Sequence, residues 1–175
     1  MAAAAASAAL LFALAACASP APQADPTPEP TQSIAVTDAA CADDSGVTVA
    51  VDASVLEDGD SKVWCIGTDE TLAATDALTL VGVETEGTEE YGDQVVCRVN
   101  GVPAEDVAIP AEDGSDYFET CASMPAAFAY WSLWTKPEGE EWAYAQEGLS
   151  TLQLEPGDSL ELLFTLNGEP AAPAT

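Results

Sequence analysis

Aromatic side chains in the second half of the chain are the residues best suited to bind another molecule. Tyr130, Trp131 and Trp134 fall in one predicted strand, and Trp142 and Tyr144 fall in the next. Alternation along a strand places Tyr130 and Trp134 on one face and Trp131 on the other. Because one helix covers only one face of a sheet, we expect exposed rings that form a ligand-binding or partner-binding surface. Cross-strand aromatic packing inside the fold is the alternative.

Acidic side chains are the other candidates for chemistry. Asp113, Asp116 and Glu119 supply the hard oxygen ligands that calcium prefers, but their spacing departs from that of an EF-hand loop. The acidic run at residues 84–90 is typical of a solvated loop. Paired carboxylates can hydrolyse glycosides, yet 31 acidic residues bring some pairs together by chance, and the domain is small for a sugar cleft. We therefore expect no enzyme activity, no metal site and no cofactor.

The charge balance excludes several classes of function. The 175 residues include 31 acidic side chains, 3 basic ones and no histidine, which gives a formal net charge of −28. Lys62, Arg98 and Lys136 are scattered, so no basic surface exists for nucleic acid phosphates or anionic lipids. Without histidine, the chain has no Ser-His-Asp triad and no imidazole metal site.

The N-terminus carries the features of an export signal. Residues 2–16 form an apolar run of mostly alanine and leucine, which suits the hydrophobic region of a secretory signal peptide. The run ends in Leu14-Ala-Ala-Cys17, which resembles the lipobox of bacterial lipoproteins. The resemblance implies a signal peptide at residues 1–16 and palmitate or a similar lipid on Cys17. That lipid would insert in the lipid bilayer and hold the protein on the extracytoplasmic face of the cell membrane.

Proline dominates the residues that follow the predicted anchor. Prolines at positions 20, 22, 26, 28 and 30 fix φ and favour the extended polyproline II conformation. We therefore predict a semi-rigid linker over residues 17–45, a folded domain over 46–168 and a disordered tail over 169–175.

Four cysteines remain after Cys17, which is an even number for an exported chain. Cys41, Cys65, Cys97 and Cys121 show no C-x-x-C spacing, so structural disulfides are the expected use. Three pairings are open to four cysteines, and the sequence alone does not choose among them. We prefer Cys97–Cys121, which would close the loop after Asn100-Gly101, together with Cys41–Cys65.

The predicted elements combine one helix with several strands. Val47–Asp52 and Lys62–Ile66 read as a hairpin around an Asp58-Gly59 turn, and Thr68 is the candidate N-cap of a helix that ends before Gly82. Segment 84–92 reads as a loop, and segment 102–125 reads as a long loop with one strand turn. The remaining predicted strands are 94–99, 129–134, 141–146 and 159–166. This order predicts an α+β, β-grasp-like roll with one helix on a mixed sheet.

Several short segments resemble a known domain family. Thr75–Leu78, Trp142–Tyr144 and Pro156–Leu160 are similar to segments of the small domains related to the C-terminal domain of transcobalamin, which have a β-grasp fold. Cys97–Ala104 and Ala129–Trp134 resemble the actinobacterial exported members. The resemblance implies binding of a small molecule, vitamin-like or corrinoid-like, or of a protein partner.

Together these features predict a membrane-anchored, extracytoplasmic binding protein. Its ligand would be a small molecule captured near a membrane transporter. A protein–protein interaction module of the cell envelope, without a small-molecule ligand, is the alternative function.

Overall fold

The computed structural model describes residues 34–57 and 59–174. The predicted signal peptide at 1–16, the predicted acylation site Cys17, the first half of the predicted linker, and Asp58 of the predicted turn lie outside the described residues.

Twelve strands and one helix make up the described fold. In chain order the strands are β1 (Ala35–Thr37), β2 (Val47–Asp52), β3 (Ser61–Gly67), β4 (Leu72–Ala73), β5 (Thr85–Thr88), β6 (Gly92–Val99), β7 (Ile109–Pro110), β8 (Asp116–Tyr117), β9 (Ala129–Lys136), β10 (Ala143–Tyr144), β11 (Gln153–Leu154) and β12 (Ser159–Leu166). The helix α1 (Ala74–Leu80) follows β4 directly.

A six-stranded mixed sheet organises the fold in the order β1-β3-β2-β12-β9-β10. The central strand β12 runs parallel to β2 and antiparallel to β9. β2 and β3 form the predicted antiparallel hairpin. The α+β class with one helix and a mixed sheet is therefore confirmed.

One face of the sheet and the helix enclose the main core. Alternate residues of β2 and β12, such as Val49 and Leu162, point into this core and are fully buried, as the apolar-polar alternation predicts. Ala77 and Leu78 provide the apolar stripe of α1 that packs there. Trp131 of β9 joins the same core.

The helix is shorter than the sequence predicts. Thr68 is not its N-cap, because the Thr68 hydroxyl accepts the amide N–H of Glu70 in a local turn (3.0 Å). Leu72–Ala73 instead pair with Gln153–Leu154 as a short ladder, and the helix begins only at Ala74. Leu72 and Ala73 fit a helical pattern locally, but pairing with a strand distant in the sequence places them in a β-ladder.

Two further predictions need correction. The predicted loop at 84–92 contains β5, which pairs with β6 through an irregular register. The predicted linker 17–45 contains β1, which pairs with β3, so the sheet begins earlier than residue 46. Within the segment 102–125, β7 and β8 form a small antiparallel pair.

Both preferred disulfides are present. Cys41–Cys65 joins the segment after β1 to β3, with the Cα atoms 4.8 Å apart. Cys97–Cys121 joins β6 to the segment before β9, with the Cα atoms 5.5 Å apart. The pairing preferred from the sequence is confirmed. No helix among the described residues is long and apolar enough to cross a membrane.

Candidate functional site

A groove of about 390 Å³ opens beside β9 where β10 ends. One wall is β9 itself, with Tyr130 and Trp131 among its lining residues. The opposite side is formed by residues 93–96 of β6 and by residues 144–149, which continue the chain after β10. This volume lies within the ordinary range for small-molecule sites.

The backbone of β9 is only partly paired along this groove. The Leu133 carbonyl accepts the amide N–H of Ala145 (2.9 Å), on the side of the strand opposite β12. Because backbone groups alternate sides along a strand, Trp131 also directs its N–H and carbonyl away from β12. β10 ends at Tyr144, opposite Trp134, so among the described residues no strand pairs with β9 beside Trp131. One backbone donor and one backbone acceptor of Trp131 thus lie on the groove side of β9, without a strand partner among the described residues.

Tyr144 of the groove belongs to an aromatic pair. Tyr144 stacks on Trp134 with ring centroids 4.0 Å apart, as expected for directly opposed residues of neighbouring strands. The Trp134 indole N–H donates to the Ser132 hydroxyl (2.9 Å), which donates to the Leu163 carbonyl (2.9 Å). These bonds fix the indole, while Tyr144 remains 50% exposed.

The two tyrosines of the groove interact with each other. Burial, followed by a hydrogen bond with Tyr130, raises the pKa of Tyr144 above its ordinary value. The Tyr144 phenol is therefore neutral at physiological pH. Both tyrosines offer hydroxyl donors and acceptors as well as ring faces to a ligand.

The five predicted aromatic residues separate into two groups. Tyr130, Trp131 and Tyr144 line the groove. Trp134 does not line it and is only 6% exposed, and Trp131 is 7% exposed. The expectation of exposed rings is therefore wrong for these two residues. Trp142 lies outside the groove, with the Lys136 ammonium 5.7 Å from its ring centroid.

Trp131 contributes mainly to the core. Its ring packs edge-to-face on Phe164 at 5.3 Å, and its indole N–H donates to the Val102 carbonyl (2.9 Å). The alternation rule thus places the rings on the predicted faces. The alternative of cross-strand aromatic packing inside the fold is present at Trp134, which stacks on Tyr144.

The charges at the groove have one sign. Asp93 and Glu147 are among its lining residues, and no lysine or arginine is. The three basic side chains of the chain are engaged elsewhere: Lys62 pairs with Asp60 (2.6 Å), Arg98 pairs with Glu86 (3.0 Å), and Lys136 lies over Trp142. The groove therefore favours neutral or cationic ligands.

Two of the candidate calcium residues, Asp113 and Glu119, form hydrogen bonds within their own segment. The Asp113 carboxylate accepts hydrogen bonds from the Ser115 hydroxyl and amide, and these bonds lower the pKa of Asp113. Glu119 is buried, and its two oxygens accept the Tyr117 hydroxyl and the Cys121 amide, both at 2.6 Å. Glu119 thus orders the segment that carries the second disulfide.

A second, apolar pocket of about 440 Å³ lies near the end of β12. Val55 and Leu56 of the β2–β3 connection line it, together with residues 101–104, residues 107–110 and Leu166. The sequence does not predict this pocket, because its walls are two irregular segments distant in the chain. Isolated valines and leucines in those segments give no periodic signal.

Known proteins do not assign either site. No protein-family model, no curated protein and no solved structure matches this chain.

Proposed function

We propose that the chain is an exported lipoprotein whose folded domain binds a small molecule in the groove beside β9. In this proposal residues 1–16 are a signal peptide, and acylated Cys17 holds the protein on the extracytoplasmic face of the cell membrane. The observation that carries the ligand-binding part is the groove itself, in which two tyrosines, two carboxylates and a stretch of strand edge that no described strand pairs converge.

The disulfides support the proposed location. Cys41–Cys65 and Cys97–Cys121 account for every cysteine after Cys17, and such bonds persist in oxidising compartments. The lipobox-like Leu14–Cys17 then supplies the anchor. The single helix on a mixed sheet is compatible with a β-grasp domain, the fold that the transcobalamin-like segments imply, and we include that fold in the proposal.

A protein-interaction module of the envelope is the second candidate function. Exposed apolar side chains in the segment between β6 and β9 favour it: Val107 is 47% exposed, Phe118 44% and Met124 60%. Exposed apolar side chains of this size are frequent at protein interfaces when they cluster.

Labelling with a palmitate analogue in a bacterial host tests the anchor. The full chain is expected to incorporate the label and to fractionate with membranes. A Cys17→Ser variant should lose both properties. Labelling of the Cys17→Ser variant at the wild-type level would contradict the lipoprotein assignment.

Thermal-shift screening of the mature, acylated protein tests the ligand-binding site. Candidate ligands are cobalamin, other vitamins and small aromatic solutes. A ligand of the groove should lose its stabilising effect in Tyr144→Ala and keep it in Phe118→Ala, since both side chains are about half exposed but only Tyr144 lines the groove. Equal losses in the two variants, or no stabilising ligand, would contradict the proposal. Crosslinking in cells that recovers one stoichiometric protein partner would favour the alternative.

A further inference from the structure

The groove contains a strand edge that is open along a short stretch. β9 is paired along its whole length with β12, from Ala129 to Lys136. On its other side, β10 pairs only with Trp134 and Thr135. After β10, the Ala145 amide donates one more hydrogen bond to the Leu133 carbonyl of β9. Residues 146–149 then form the far side of the groove. The position where β10 would continue is therefore groove space.

The backbone at this edge requires an amide-bearing partner for full pairing. The N–H and carbonyl of Trp131 point to the open side, where a second strand would exchange two hydrogen bonds with them. A segment in extended conformation is the ligand that supplies a donor and an acceptor at this spacing. Peptide recognition by strand addition uses the same backbone groups, and side-chain pockets then give specificity.

The side chains around the edge indicate the charge of such a segment. Asp93 lies on the β6 side and Glu147 lies on the side of residues 146–149, while Tyr130 and Tyr144 present hydroxyls and ring faces. Lysine and arginine side chains pair with carboxylates and pack on aromatic rings. No basic residue lines the groove to repel them.

We infer that the groove beside β9 binds a short, basic peptide in extended conformation, which adds as a strand next to Trp131. This inference rests on the proposed function, because it names the chemical class of the small solute bound in the same groove. The peptide backbone pairs with Trp131, and its alternate side chains face the acidic walls.

Binding of a defined peptide to the mature, ¹⁵N-labelled protein tests the inference. The probe is acetyl-Val-Lys-Val-Lys-Val-amide, followed by amide NMR shifts and by titration calorimetry. We expect saturable binding, with the largest downfield shift at the Trp131 amide. N-methylation of the central valine and its neighbours, which removes backbone donors without changing charge, should weaken binding at least tenfold. The glutamate analogue should not bind.

Matched charge variants separate local recognition from the field of the whole acidic protein. Asp93→Asn and Glu147→Gln should each weaken the lysine peptide several-fold. Glu105→Gln removes the same charge from an exposed loop outside the groove and should change affinity less than twofold. Because the three variants share one net charge, only position distinguishes them.

Each other outcome overturns the inference. Equal binding of the N-methylated peptide, or equal effects of Asp93→Asn and Glu105→Gln, would show non-specific attraction to an acidic surface. No binding of the lysine peptide would exclude strand addition by basic peptides. If the lysine peptide does not bind but an aromatic solute still binds in a Tyr144-dependent manner, the proposed function stands without this inference. If neither the peptide nor any small solute binds, both the proposed function and this inference are excluded.

Discussion

The two disulfides offer an internal comparison, because each closes a loop of the same length. Both pairs are separated by 24 residues in the sequence. The chain-entropy relation therefore assigns each the same effect on the unfolded state, about 3.5 kcal/mol at 25 °C. Any difference between the two double-alanine variants must then arise from contacts in the folded protein.

The surroundings of the two bonds differ. Cys97 and Cys121 are 2% and 3% exposed, whereas Cys41 and Cys65 are both half-buried. Removing two buried sulfur atoms leaves space in a packed region, and each costs on the order of 1 kcal/mol. We therefore expect Cys97→Ala/Cys121→Ala to lose about 5.5 kcal/mol, and Cys41→Ala/Cys65→Ala about 3.5 kcal/mol.

Urea unfolding followed by tryptophan fluorescence measures both losses. The slope of the unfolding free energy against urea concentration should increase by a similar amount in the two variants. Each variant releases a loop of equal length, so the denatured chain exposes a similar amount of additional surface. A larger loss for Cys41→Ala/Cys65→Ala, or equal losses, would refute the reasoning that burial distinguishes the bonds. A folded-state spectrum in the absence of urea is the control that both variants still fold.

Three further predictions concern single side chains. Burial, followed by the hydrogen bond donated to Glu119, raises the pKa of Tyr117 to about 12. Because the pKa is higher in the folded than in the unfolded protein, the neutral phenol adds to the free energy of unfolding. That contribution is complete below about pH 10 and is lost as pH rises toward 12. Urea titrations at pH 9 and pH 11 should show this loss, and Tyr117→Phe should make it smaller, leaving the part that arises from the raised pKa of Tyr144. Trp131→Phe keeps an aromatic ring in the core but removes the indole hydrogen bond to the Val102 carbonyl. The unfolding free energy should therefore fall by about 1 kcal/mol, plus the cost of the lost volume. Trp131→Ala should lower it by about 3–5 kcal/mol. Trp134→Ala should lower the melting temperature, because this side chain is buried and stacked, and an unchanged melting temperature would contradict its position.

Regular alternation made part of the sheet predictable. Val47–Asp52 and Ser159–Leu166 carry apolar side chains at every second position, and both are strands of the central sheet. The same rule placed Trp131 and Trp134 on opposite faces of β9. The preferred disulfide pairing is also the one present, although the sequence alone left three pairings open.

Long-range pairing limited the prediction elsewhere. Leu72–Ala73 became a strand because Gln153–Leu154 lies beside it, and β1 formed inside a presumed linker because β3 had a free edge. Neither partner is visible in the local pattern. The groove has the same origin, since residues 93–96 and 144–149 meet β9 only in the folded chain.

The net charge and the open edge of β9 are connected. An unpaired strand edge invites pairing with a second copy of the chain, and proteins protect such edges with short strands or with charge. The opposite edge strand, β1, has only three residues. At β9 the protection is electrostatic, because Asp93 and Glu147 flank the opening on a chain of net charge −28. Two copies repel each other there, whereas a cationic strand is attracted. If the groove binds a basic peptide as we propose, the acidity that disfavours pairing of two copies at this edge is also the property that favours the ligand.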